Sequence, residues 1–252
     1  MVDHGFGSQV ESIVDAMASC RNLSSIGKYR LVSAVSGKTE TCLRWLPTAL
    51  PDLERLHSID PLRISHALRA SSWSKTGTRF VMPDAVFSES IEVEHELKAN
   101  SVAYSAPFEI FVDGMHFKQT RQYQHMLRQW RRNKRYFMDR VYRTEDEIDS
   151  YFVRLISTFE EIRQDGYRSQ IELGGNVFDE VRVCIAPDGS VMKVSSGKHR
   201  FAIARILELP RLPVLVVGVA ESWARKAIGN SQLAVPFGLN EAMKSHFGSL
   251  KS

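Results

Sequence analysis

One stretch concentrates residues able to do chemistry: Ser195-Ser196-Gly197-Lys198-His199-Arg200, directly ahead of the mostly apolar run from Phe201 to Leu209. A small-residue turn that runs from a strand into a helix leaves the first N–H groups of that helix unpaired, with the positive end of the macrodipole behind them. Such a turn holds anions. Gly197 would let a phosphate approach the backbone, Ser195 or Ser196 would cap the helix or donate to an oxygen, and Lys198, His199 and Arg200 would neutralise charge. Cationic side chains oppose the dipole at a helix N-terminus, so their presence there points to an expected anion. The competing reading is structural: Gly197 turns the chain, His199 is a capping or satisfied core histidine, and Arg200 makes an ion pair within the fold.

The elements that would position this turn are legible from residue 144 onward. Thr144 with Glu147 makes a capping box, Ile148, Phe152, Leu155, Phe159 and Ile162 repeat at helical spacing, and Gly166 supplies a stop. Val181, Val183 and Ile185 alternate with Arg182 and Cys184. Pro187-Asp188-Gly189 is turn chemistry, and Val191 to Val194 returns, which together read as a β-hairpin. The apolar helix over 201–209 follows, Pro210 to Pro213 ends it, and Val214 to Val219 reads as a buried strand. Arg182 shares the polar phase of its strand with Cys184 and is the candidate for a second phosphate contact.

The first hundred residues read as mixed. A helix is expected over Gln9 to Ala18, a strand over Tyr29 to Val35, a helix opened by Asp60 and Pro61, and extended pieces over Arg79 to Met82 and Val102 to Val112.

Charge is local. Nine basic residues and one acid, Asp139, lie between Lys118 and Arg143, a stretch of +8 in a chain whose net charge is +4. At helical spacing Arg121, Arg128, Arg132, Arg135 and Arg143 share one side, while Tyr123, Met126, Trp130, Phe137 and Val141 share the opposite side. The expectation is an amphipathic helix over 118–143. Its cationic face would serve either as a solvated surface or as a contact for nucleic-acid phosphates or an acidic partner.

The 252 residues are 43% hydrophobic and 25% charged, enough for a sizeable core and unlike a disordered or collagenous chain. Cys20, Cys42 and Cys184 form no CxxC pair and have no histidine at ligand spacing, which argues against a zinc site or a disulfide framework and fits a reducing cytoplasm. The N-terminus has neither the basic nor the apolar region of a signal peptide, and the longest apolar stretch, Leu212 to Ala220, is too short to span a bilayer. The expectation is therefore a soluble cytoplasmic protein without a membrane partner.

The run from Ser195 to Val217 resembles the G-x-H/R-R turn, alanine-containing helix and (I/V)-P-V strand of the ParB/sulfiredoxin superfamily. The preceding helix ending at Gly166 and the hairpin from Arg182 to Val194 agree in order, so the likeness covers about Thr144 to Val219. It implies a nucleotide-phosphate pocket at Gly197, Lys198, His199 and Arg200. Lys198 stands where sulfiredoxins carry the catalytic cysteine, which excludes sulfinic-acid reduction by that route. Ser196 stands where the related free-serine kinases carry an aspartate, and that acid is not carried over. ParB proteins read GERR there, use CTP and magnesium, and continue into an acidic metal motif and a helix-turn-helix. This chain offers Glu221-Ser222-Trp223 and Asn230 instead.

Two functions follow from the resemblance. In the first, a nucleoside triphosphate, ATP or CTP with Mg²⁺, docks on Ser195, Ser196, Gly197 and Arg182, and Lys198, His199 and Arg200 act as the catalytic residues of a phosphotransferase or NTPase. In the second, the chain is a nucleotide-responsive module whose basic helix meets DNA, RNA or an acidic partner through Arg121, Arg128, Arg132 and Arg135, without turnover. A weaker third reading makes the module a scaffold for work done by the N-terminal half. No carboxylate cluster marks a metal site; Glu172, Asp179, Glu180 and Asp188 are the acids nearest the motif, and each reads first as a turn residue. The expected architecture is α+β: a mixed α/β N-terminal region over 1–117, the basic helix over 118–143, the ParB/sulfiredoxin-like module over 144–230 and a tail over 231–252.

Overall fold

The helix expected after Thr144 forms as its sequence requires. The computed structural model describes residues 56–68, 80–93, 102–133, 136–137, 140–194, 197–229 and 235–249. In it α3 spans Glu145–Asp165. Thr144 Oγ1 accepts from Glu147 N at 3.2 Å, and Glu147 Oε2 accepts in return from Arg143 N at 2.6 Å, so the box closes one residue ahead of the cap. Gly166, with φ 80°, donates to the Ile162 carbonyl and ends the helix. Ile148, Phe152, Leu155, Phe159 and Ile162 are all buried along one face, each contributing roughly 1.5–3 kcal/mol of apolar transfer free energy.

The molecule is a mixed α/β fold built on a seven-stranded sheet. The strands are β1 (Leu56–Ile59), β2 (His66–Leu68), β3 (Val81–Met82), β4 (Ser90–Glu92), β7 (Val181–Ile185), β8 (Val191–Lys193) and β9 (Leu212–Ala220). Their order is β1-β9-β7-β8-β2-β4, with β3 continuing the edge beside β9. The expected hairpin is β7 and β8, antiparallel with Val183 opposite Lys193 and Ile185 opposite Val191. Helix α4 (Lys198–Ile206) crosses from β8 to β9, which lies parallel to β7. The strand expected over 214–219 is thus longer by a few residues.

The helical layer comprises α1 (Val102–Phe111), α2 (Arg121–Arg131) and α3, and α5 (Glu221–Ile228) and α6 (Val235–Ser249) close the C-terminal side. Phe201, Ala202, Ile203 and Ala204 are all fully buried. Four consecutive apolar residues face every side of a helix and need cover on both of its sides: Phe201, Ala202 and Ala204 pack with the sheet, and Ile203 with Phe152, Phe159 and Met126 of the helical layer.

Several expectations upstream are corrected. The basic stretch is not one helix over 118–143. α2 stops at Arg131, Asn133 turns left-handed at φ 58°, and the short strands β5 (Tyr136–Phe137) and β6 (Arg140–Val141) pair. Continuing the helix would stack like charges at spacings of three and four, and asparagine tolerates the left-handed turn. Tyr123 and Met126 are buried as expected, but Val141 is 56% exposed. Residues 102–112, expected to be extended, form α1 despite Pro107, held by packing against α4 and α2. Asp60 caps as read, accepting from Leu62 N at 2.8 Å, yet only a single 3-10 turn, Pro61–Arg63, follows. Extended backbone is seen at Val81–Met82. The elements expected over 9–18 and 29–35, together with Ser195, Ser196 and Arg135, lie outside the described residues.

Candidate functional site

At the head of α4, Gly197 adopts the left-handed conformation, φ 71° and ψ 29°, with no side-chain cap. A Cβ there would fall 2.7 Å from the Cα of Val181. The missing side chain therefore lets α4 start against β7, a packing requirement as well as a conformational one. The Gly197 carbonyl already accepts from Phe201 N, as the first bond of the helix.

Arg200 lies in an ion pair with Glu180, Nη1 to Oε2 at 3.7 Å, and also donates to the Asp179 carbonyl. Glu180 is fully buried and accepts from the Tyr167 hydroxyl at 2.9 Å and from Gln170 N. Burial, with the Glu180 charge adding to it and Arg200 opposing it, holds the Tyr167 phenol well above its ordinary range. The result is a rigid frame that presents Arg200 from a fixed position. His199 is tied differently: Gln122 Oε1 of α2 accepts from its Nε2 at 3.2 Å, and the Tyr151 hydroxyl of α3 lies 3.2 Å from the ring nitrogens. Gln122 Nε2 donates to that same hydroxyl at 2.9 Å. One imidazole thus joins three helices.

These two residues form part of the wall of a cleft of about 430 Å³, a size suited to a small-molecule ligand. Its cationic groups are Arg154, Arg168 and Arg200, its one acid is Glu161, and His199 lies among them. Tyr142, Tyr151 and Tyr167 give it aromatic walls, with Leu173 at 51% exposure. Arg154 and Glu161 come from the outer face of α3 and Arg168 from the loop after Gly166, and both arginines are exposed without an ion pair among the described residues. Sequence reading missed this set because its members come from three separate segments; the only available signal was that Tyr151, Arg154, Thr158 and Glu161 share a helical face.

Other expected site residues fall elsewhere. Lys198 is half-buried and does not line the cleft. Arg182, expected as a second phosphate contact, does not line the cleft: its Nε donates to the Phe178 carbonyl at 2.8 Å, within the 3-10 turn Val177–Asp179. Burial holds its guanidinium below the ordinary value, against the pull of Asp179. Cys184 is wholly buried rather than on a polar face, because the strand is covered on both sides, and burial pushes its thiol up to about 12, with Lys193 acting weakly the other way. Glu172 accepts from Ser169 N, which with the Ser169 hydroxyl holds its carboxyl below the usual range. Asp188 accepts from Ser190 N and Oγ within the hairpin turn. Among the described residues no three His, Cys, Asp or Glu side chains converge as a metal site would need. None of the described helices is long and apolar enough to cross a membrane.

No family model matches the chain, and no curated protein or solved structure matches it either. Fold and site together define a mixed α/β protein with a cationic, tyrosine-walled cleft at the head of its central helix.

Proposed function

We propose that this chain is a nucleotide-binding module of the ParB/sulfiredoxin-like kind, taking the phosphates of ATP or CTP in the cleft and acting by binding rather than by phosphoryl transfer. The observation that supports it is the convergence of Arg154, Arg168 and Arg200 on one cleft, where Glu161 lines the wall and Glu180 pairs with Arg200 from behind, which leaves an excess of positive charge. Guanidinium forks match phosphate geometry, and the start of α4 adds the positive end of a helix dipole. Half-buried Tyr151 offers flat apolar surface for a base.

Binding is preferred to transfer because the acids that transfer would use are engaged. Glu180 holds Arg200, Glu172 and Asp188 close turns, and the donor set for Mg²⁺ does not assemble among the described residues. The role of His199 is positional, since its ring bonds to Gln122 and Tyr151.

The test is competition of ATP and CTP against a fluorescent nucleotide, with release of labelled phosphate followed in parallel. Arg154→Ala and Arg168→Ala should each weaken binding about 10- to 100-fold, as loss of a charged hydrogen bond does, while leaving thermal stability intact. Arg200→Ala is less informative because it strands buried Glu180. Unchanged affinity in both exposed variants contradicts the assignment, and sustained phosphate release by the wild type moves the reading to an NTPase.

A further inference from the structure

The cleft does not end at its own rim. Tyr142 lines it, and the neighbouring residues Val141 and Arg143 face outward, as alternation along an extended segment requires. Trp130 Nε1, in the last turn of α2, donates to the Arg143 carbonyl at 3.2 Å. That bond sets the end of α2, with Arg131 and Arg132, beside the segment that forms the cleft wall. Arg131, Arg132 and Arg143 are all exposed and carry no ion pair among the described residues. By contrast Lys118 and Arg121, at the other end of the basic stretch, are spent on Asp149 and Glu109. Among the described residues, the unpaired positive charge of this stretch is therefore at the C-terminal end of α2, beside the segment that carries Tyr142.

Apolar groups are set among these charges. Val141 is 56% exposed near Arg143 in the chain, and Leu173, 51% exposed, lines the cleft together with Tyr151 and Arg168. An acidic peptide has no need of such surface. A single-stranded nucleic acid does, because its bases present apolar faces between regularly spaced phosphates, and sites for it combine cationic tracks with aromatic or apolar platforms.

We infer that the cleft receives the terminal nucleotide of a single-stranded nucleic acid and that Arg143, Arg131 and Arg132 hold the phosphates that follow it. This rests on the phosphate site of the preceding section and extends it from a free nucleotide to the end of a strand. Val141 underlies the next base, and Arg154 holds the nucleotide in the cleft whether it is free or terminal to a strand.

The experiment compares a 5′-phosphorylated oligonucleotide with the free nucleotide, by fluorescence anisotropy over a salt series. The strand should bind at least tenfold tighter than the nucleotide. The triple variant Arg131→Ala/Arg132→Ala/Arg143→Ala should flatten the salt slope for the strand by about 2, at about 0.7 per lost phosphate contact, and leave nucleotide affinity unchanged. Arg154→Ala should weaken both ligands. The inference is overturned if the triple variant binds the strand like wild type, if the strand binds no tighter than the nucleotide, or if Arg154→Ala spares the strand. Displacement of the strand by poly-glutamate at equal charge would also overturn it, in favour of an acidic peptide. Loss of the strand's advantage with nucleotide binding intact leaves the phosphate site standing, whereas insensitivity of both ligands to Arg154→Ala removes the site itself.

Discussion

At Gly197 the constraint is doubly steric: a methyl group would press on the Val181 backbone, and the backbone is left-handed. Gly197→Ala should therefore cost roughly 2–4 kcal/mol, combining left-handed strain with overpacking, measured by urea denaturation. A loss under about 0.5 kcal/mol would show that α4 can shift off β7 freely. Arg200 illustrates how two readings of one residue coexist. It does make the structural ion pair that the bland reading expects, with Glu180, and it lines the cleft as well. The pair is the device that aims it. Sequence could place Arg200 at the head of a helix but not reveal that Tyr167, Gln170 and Glu180 would gather behind it, since that requires the loop after Gly166 to fold back on β7.

Between elements, α2 and α3 are joined at one end by the Lys118–Asp149–Tyr123 cluster, with Lys118 Nζ 2.6 Å from Asp149 Oδ2 and the Tyr123 hydroxyl 2.8 Å from Oδ1. Burial pushes the Asp149 carboxyl up, yet bonds from Lys118 and Tyr123 outweigh it and hold the group below 3.8. A depressed carboxylate contributes stability above its unfolded value and loses it as pH falls through the folded one. Asp149→Asn should accordingly be less stable than wild type at pH 7, with the gap closing as pH falls below about 3.8. Melting temperatures of both proteins between pH 2.5 and 7 check this, and a gap that ignores pH contradicts it. Lys118, raised from 10.5 chiefly by its bond to Asp149, works at the opposite limb, where stability falls as pH rises past that value. α3 was legible because cap, apolar period and stop agree. α1 was not, because Pro107 and an unclear apolar period mask a helix that exists through its contacts with α4. α2 was half legible: its buried face was read correctly, but its end depended on Asn133 and on charge repulsion that periodicity ignores.

For the molecule as a whole, the hairpin–helix–strand order around Gly197 was readable, since each of those elements carries its own boundary signals. The sheet that receives them was not, because β1, β2, β3 and β4 are short pieces held by long-range pairing: β1 and β3 with β9, β2 with β8, and β4 with β2. The cleft belongs to the same category. Its cations come from α3, from the loop behind Gly166 and from α4, and only folding brings them together. Gln122 and Tyr151 connect that cleft to α2 through His199, so the helix bearing the exposed arginines shares a hydrogen-bond network with the cleft. Amide hydrogen exchange with and without CTP or ATP tests the central claim most directly. The account predicts slowed exchange at Lys198, His199 and Arg200 and in the loop from Gly166 to Gln170. Unchanged exchange at both places, or protection confined to other parts of the sheet, would contradict it.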